Sequence, residues 1–96
     1  MNLERITFTE IAVRLSRATG CERYVGHLNI LVSGWNNRRA RHGLSPINFA
    51  QRVKDTVEWQ LQHGLPVHKE RYMYADELEM FSKYVGYDLT KPIDNQ

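Results

Sequence analysis

The chain has 96 residues, 42% hydrophobic and 25% charged, which fits one small globular domain and excludes a largely disordered chain. Its single cysteine, Cys21, excludes an internal disulfide, and no apolar run approaches the roughly 20 residues of a membrane-spanning helix. Residues 1–54 carry nine Lys or Arg and three acids (+6), whereas residues 55–96 carry four and eight (−4), a division typical of a nucleic-acid face backed by a surface that repels phosphate.

The first predicted helix covers about residues 8–19. Thr7 and Glu10 have the spacing of a capping box, in which the Thr hydroxyl accepts the amide of the third helical residue. Gly20 takes a positive φ without Cβ strain and is a natural end for this helix. The apolar residues on its predicted inner face are Ile11, Leu15 and Ala18.

A second helix is predicted from Leu28 to about Arg39, after a break at Gly26. Its apolar residues recur at the helical spacings of three and four, and we interpret that face as core. The residues that follow are Asn-Asn-Arg-Arg-Ala-Arg, with neither the Lys nor the Glu of an ordinary solvated face. Asn and Arg bond base edges bidentately and arginines neutralise phosphates, so this segment predicts contact with DNA, with a solvated helix end as the alternative. The predicted core face consists of Leu28, Leu31, Val32 and Trp35.

A third helix is predicted to open at Ser45-Pro46, because Ser caps and Pro suits the first helical position. Gly64 and Pro66 are predicted to close it. Its broad apolar face predicts the main core helix. Trp59 is predicted to point away from that face. We expect it either to cover a neighbouring element or to mark a surface for a partner. The apolar face comprises Ala50, Val53, Val57 and Leu61, with Ile47 and Phe49 at its edges.

The last helix is predicted from Tyr72 to about Val85, ended by Gly86. Residues 87–96 are predicted to be a polar tail, which leaves residues 1–86 as a single helical domain. No segment is a convincing strand. A short β-ribbon between Leu65 and Tyr74 is the least well supported element of this reading. The predicted fold class is therefore all-α, with four or five helices and short connections.

Residues 26–38 resemble the turn and recognition helix of helix-turn-helix repressors. Gly26 stands at the turn, Val32 follows six residues later and Trp35 three beyond, as in that family. With the preceding residues 14–20 and the helix after Ser45-Pro46, the chain resembles the short bacteriophage lysogeny repressors over about residues 10–65. In a second register, residues 8–19 are the positioning helix and 20–27 a long turn; both registers keep 28–39 as the recognition helix.

The resemblance implies a compact helical domain that contains a helix-turn-helix and acts as a sequence-specific transcriptional regulator, reading the major groove with residues 28–39. Its implied partners are double-stranded DNA and a second copy of the chain, paired through the C-terminal helix. The implied base readers are Asn29 and Ser33; the residues implied to contact bases or phosphates are Asn36, Asn37, Arg38, Arg39 and Arg41, with Arg17 and Arg23 as further phosphate contacts.

The sequence predicts no enzyme, cofactor or metal site. Cys21 and the histidines show no CxxC or HExxH spacing, and Glu77 and Glu79 would point to different faces of a helix rather than form an acid–base pair. The N-terminus lacks the layout of a signal peptide, so we expect a cytoplasmic protein.

The alternative function is a small protein-binding module, of the inhibitor or antitoxin kind, acting through the acidic C-terminal third. Tyrosine is enriched at interfaces because it joins a large apolar face to a polar tip. The tyrosines that favour this alternative are Tyr72, Tyr74, Tyr84 and Tyr87.

Overall fold

The computed structural model describes residues 4–22 and 24–92, which are mostly helical. The predominance of helix is confirmed, but the fold is not purely all-α because two short strands pair. No helix within the described ranges is long and apolar enough to cross a membrane. The elements in chain order are β1 (Arg5–Thr7), α1 (Phe8–Thr19), α2 (Tyr24–Arg41), α3 (Phe49–Gln62), β2 (Tyr72–Tyr74) and α4 (Ala75–Val85).

Strands β1 and β2 form an antiparallel ribbon in which Ile6 faces Met73. The pairing continues past both ends, since the Phe8 amide donates to the Arg71 carbonyl at 2.9 Å and the Ala75 amide to Glu4 at 3.0 Å. The prediction that the last helix begins at Tyr72 is therefore wrong for three residues. Their partner strand lies near the other end of the chain, which local periodicity does not detect.

Each strand leads directly into a helix, and the two helices are capped in complementary ways. The Thr7 hydroxyl accepts the Glu10 amide at 3.2 Å, whereas the Glu77 carboxylate accepts the Tyr74 amide at 2.9 Å. Helix α1 ends at Gly20 with φ +70°, which confirms the predicted range 8–19. Helix α4 likewise ends at a left-handed glycine, Gly86, as predicted.

The core lies where α1, α2 and α4 pack around the ribbon. The predicted inner face of α2 is confirmed, because Leu28, Val32 and Trp35 are buried and Leu31 packs against them. The Trp35 and Phe81 rings meet edge to face with centroids 5.5 Å apart. The fully buried large side chains are Ile11, Leu15, Met73, Leu78, Phe81 and Leu89.

One of these core residues, Leu89, belongs to the segment predicted as a polar tail, of which residues 87–92 are described. The Leu89 amide donates to the Ser82 hydroxyl at 3.0 Å, and its carbonyl accepts from Arg14 at 2.8 Å. Residues 87–92 therefore return to the helices, with Leu89 filling a place in the core.

Helix α2 is longer than the sequence predicts, because it already begins at Tyr24. Gly26 lies inside it, so the predicted break there is wrong, and so is the helix-turn-helix register that places the turn at Gly26. The second register, with a long turn over residues 20–27, is wrong as well, because α2 already begins at Tyr24. A glycine within a helix costs only about 1 kcal/mol, and packing of the buried α2 face outweighs that cost.

Helix α3 begins later than predicted, at Phe49, where the Asn48 side chain accepts the Gln51 amide at 3.0 Å. The predicted start at Ser45-Pro46 is wrong because Asn36 holds the intervening chain. Its amide nitrogen donates to the Ile47 carbonyl at 2.7 Å, and its oxygen accepts the Ile47 amide at 2.8 Å. Ile47 is therefore fixed outside the helix.

The prediction that α3 is the main core helix is also wrong. Phe49, whose ring centroid lies 5.2 Å from that of Phe8, is its one buried residue. Leu61 is 64% exposed and Trp59 is 52% exposed, stacked on His63. Helix α3 thus projects from the three-helix core instead of filling it.

Candidate nucleic-acid interface

Four exposed residues of α2 follow one another along a single row. Asn29, Ser33, Asn37 and Arg41 are four positions apart, so their side chains form an inclined row that turns about 40° around the helix axis at each step. At 1.5 Å per residue the row is about 18 Å long. We call these four residues the α2 ridge; all belong to the predicted DNA-binding set.

Small residues lie beside the α2 ridge, and this surface lacks negative charge. Gly26 and Ala40 are exposed there, and their small size allows close approach of another molecule. Ile30, which is 68% exposed, is the one large apolar side chain among these residues. Residues 24–41 contain no Asp or Glu. The ridge therefore combines amide and hydroxyl groups with an arginine on a helix that does not repel phosphate.

Arg38 extends the positive charge to the flank of the ridge. It is exposed, and its guanidinium carbon lies 5.9 Å from the centroid of the Tyr84 ring. A three-residue offset places it about 60° around the helix axis from Arg41. Both arginines lie in the last turn, where cations also interact favourably with the helix dipole.

Two other residues of the predicted site are engaged inside the protein. Both polar atoms of the Asn36 amide bond Ile47, as described above. Arg39 is half-buried over the Trp35 ring, 5.2 Å from its centroid, and donates to the Ser45 carbonyl at 3.2 Å. Asn36 and Arg39 therefore hold the loop between α2 and α3 and do not belong to the exposed ridge.

A cleft of about 320 Å³ opens beside the end of α2, between the turn after it and α4. No carboxylate lines it, and four of its lining residues carry basic side chains, namely Arg38, Arg39, His42 and Lys83. These features suit an anion. We call this site the basic cleft; its lining residues are Trp35, Arg38, Arg39, His42, Leu44, Met80, Lys83 and Tyr84.

Of the remaining two predicted arginines, the structure describes only Arg17. Arg17 is exposed in the last turn of α1, just before the link that leads into α2. It therefore lies far from Arg38 and Arg41 along the helix. Arg23 lies outside the described residues.

The sequence does not reveal the contributions of His42 and Lys83 to the basic cleft. Lys83 lies in the acidic part of the chain, and only the packing of α4 against α2 brings it near Arg38. No local pattern signals this contact. Ile30 could have been found, since it lies off the predicted apolar face yet is apolar.

The tyrosine-rich C-terminal third is partly internal. Tyr72 is buried and Tyr74 half-buried, and the Arg52 guanidinium lies 4.7 Å from the Tyr74 ring centroid. Arg52 also donates two hydrogen bonds of 2.6 Å to Glu77, and this pairing raises the pKa of Arg52 despite partial burial. A hydrogen bond with Tyr72 raises the pKa of Tyr74. Of the four tyrosines named above, Tyr84 and Tyr87 are the exposed pair.

Within residues 4–22 and 24–92, no group of three or more His, Cys, Asp or Glu side chains is arranged to hold a metal ion. Comparison of the chain with models of protein families, with curated proteins and with solved structures found no match. The α2 ridge and the basic cleft are therefore the features from which a function can be inferred.

Proposed function

We propose that this protein binds double-stranded DNA through the α2 ridge and acts as a sequence-specific transcriptional regulator of the phage-repressor type. The observation that carries the proposal is the row of four exposed DNA-compatible side chains on a helix without a carboxylate. A helix fits the B-DNA major groove, which is about 12 Å wide.

In this arrangement the first three residues of the ridge, Asn29, Ser33 and Asn37, face the base edges. Asn29 and Asn37 carry the amide geometry that bonds adenine bidentately, and Ser33 accepts or donates to either kind of base. Ile30 offers an apolar contact to a thymine methyl group. At about 3.4 Å per base pair, the 18 Å ridge is as long as roughly five base pairs. We assign sequence specificity to the asparagines and the serine, and phosphate binding to the arginines.

The cationic side chains bind the DNA backbone at both ends of the helix. Arg41 and Arg38 lie at its C-terminal end, where the basic cleft adds Lys83. Arg17 serves the N-terminal end. Such contacts fix the position of the helix on the duplex but carry little sequence information.

The salt dependence of DNA binding tests this assignment. We expect the double variant Arg38→Ala/Arg41→Ala to bind a mixed-sequence duplex more weakly because two phosphate contacts are lost. The slope of log K against log salt should fall by about 1.8, at about 0.9 per contact. Fluorescence anisotropy across a salt series measures both quantities.

The matched control is Lys69→Ala/Arg71→Ala, which removes the same charge from exposed residues of the loop before β2. We expect its salt slope to equal that of the unmodified protein. Equal losses in the two double variants would mean that net charge alone drives binding, and would contradict the assignment to the α2 ridge.

A further inference from the structure

The apolar stripe of α3 is only partly covered in this fold. Ala50 is exposed, Val53 and Val57 are half-buried, and Leu61 is largely exposed. Their spacings of three and four place them along one side of the helix. The loop that follows continues the apolar surface with the exposed residues Leu65 and Val67. We call Ala50, Val53, Val57 and Leu61 the α3 stripe.

Helix α3 is attached to the rest of the protein through a neighbouring, polar side. Arg52 pairs with Glu77, and the Thr56 hydroxyl lies 3.4 Å from that of Tyr72. Farther along, the Gln60 side chain accepts the His68 amide at 3.1 Å. The three attached residues are four positions apart. Each directly precedes a residue of the stripe and therefore lies about 100° around the helix axis from it. The stripe is therefore free while the helix stays in place.

We propose that a second copy of this chain covers the α3 stripe, in an antiparallel pair of α3 helices related by a two-fold axis. With the axis near the middle of the stripe, Ala50 of one copy faces Leu61 of the other. The small side chain leaves room for the large one, and this fit occurs twice. Val53 and Val57 fill the centre of the contact.

The charges at the border of the stripe fit this orientation. Lys54 and Glu58 lie on its exposed edge, and neither forms an ion pair among the described residues. In the antiparallel pair Lys54 of each copy lies beside Glu58 of the other. A parallel pair related by a two-fold axis would instead place these residues of the two copies on opposite borders of the contact, where they could not pair. Charge complementarity therefore selects a second copy in the antiparallel orientation.

The size of the contact predicts a weak dimer. A helix of 14 residues is about 21 Å long and about 10 Å wide. This face is smaller than the roughly 800 Å² that each partner buries in a standard interface, even with Leu65 at its edge. We therefore expect a concentration-dependent dimer with a dissociation constant between about 0.1 and 1 mM. The inference does not depend on DNA binding, because it concerns the protein alone.

Analytical ultracentrifugation of the full chain without DNA tests the dimer. Lys54→Glu or Glu58→Lys alone places like charges opposite each other twice and should weaken association about tenfold. The combination Lys54→Glu/Glu58→Lys should restore it, because opposite charges again meet. Leu61→Asp should give a monomer, with circular dichroism confirming that the variant is folded.

Glu79→Lys on the exposed surface of α4 is the matched charge control, and it should leave association unchanged. A chain that remains monomeric at millimolar concentration would overturn the inference and point to a different protein as the occupant of the stripe. A double charge reversal that fails to restore association would exclude the antiparallel pair.

Discussion

At the residue scale, two adjacent asparagines that look equivalent in the sequence have different roles. Asn36 is half-buried and holds both backbone groups of Ile47, while Asn37 is exposed on the α2 ridge. A shift of one residue turns a helical side chain by about 100°, enough to move it from the protein interior to solvent. Only the position of the loop after α2 decides which asparagine is free to contact DNA.

This difference predicts opposite outcomes for two matched substitutions. Asn36→Ala leaves the Ile47 backbone groups unpaired and should lower the free energy of unfolding by about 1–3 kcal/mol. Asn37→Ala should change stability by less than about 0.5 kcal/mol while weakening DNA binding. Urea unfolding and fluorescence anisotropy separate the two effects. A stable Asn36→Ala variant would show that the loop is held by other contacts.

At the element scale, the success of the sequence-based predictions depends on how local their signals are. Helix α1 lies where it is predicted, at about residues 8–19, because Thr7 and Gly20 mark its ends within the segment itself. Strand β2 has three residues, and its partner β1 is remote in the chain, so no pattern of its own reveals it. The apolar face of α3 was visible, but periodicity shows that a helix has such a face and not what covers it.

The attachment of α3 provides a test at this scale. Glu77→Gln keeps an acceptor for the Tyr74 amide but removes the charge that binds Arg52. We expect α3 to open more readily, because charge-assisted hydrogen bonds are about twice as strong as neutral ones. Hydrogen exchange should therefore quicken in α3 and remain unchanged in α1 and α2.

The control for this prediction is Glu79→Gln, two residues along α4 and exposed. It should leave exchange in every helix unaffected. If Glu77→Gln accelerates exchange equally in α1 and α3, then α3 is an integral part of the core and does not open separately.

At the scale of the whole molecule, the chain is less compact than its length allows. Its radius of gyration is 14.1 Å, against about 12 Å for a compact domain of this size, because α3 projects from the core. The division of the sequence into a basic and an acidic part is not reproduced in the folded protein. Arg52 of the basic part pairs with Glu77 of the acidic part, and Lys83 of the acidic part joins the arginines at the basic cleft. The DNA-binding hypothesis came from the sequence, but the choice of surface residues needed the packed structure.

The measurement that tests the central claim most directly is an NMR titration of the full chain with duplex DNA at low salt. We predict that the largest shifts fall on the backbone and side-chain amides of Asn29, Asn37 and the last turn of α2. The Asn36 side-chain signals and the exposed face of α3 should be unaffected. Shifts confined to α3, or the absence of shifts at the lowest salt, would contradict DNA binding through the α2 ridge.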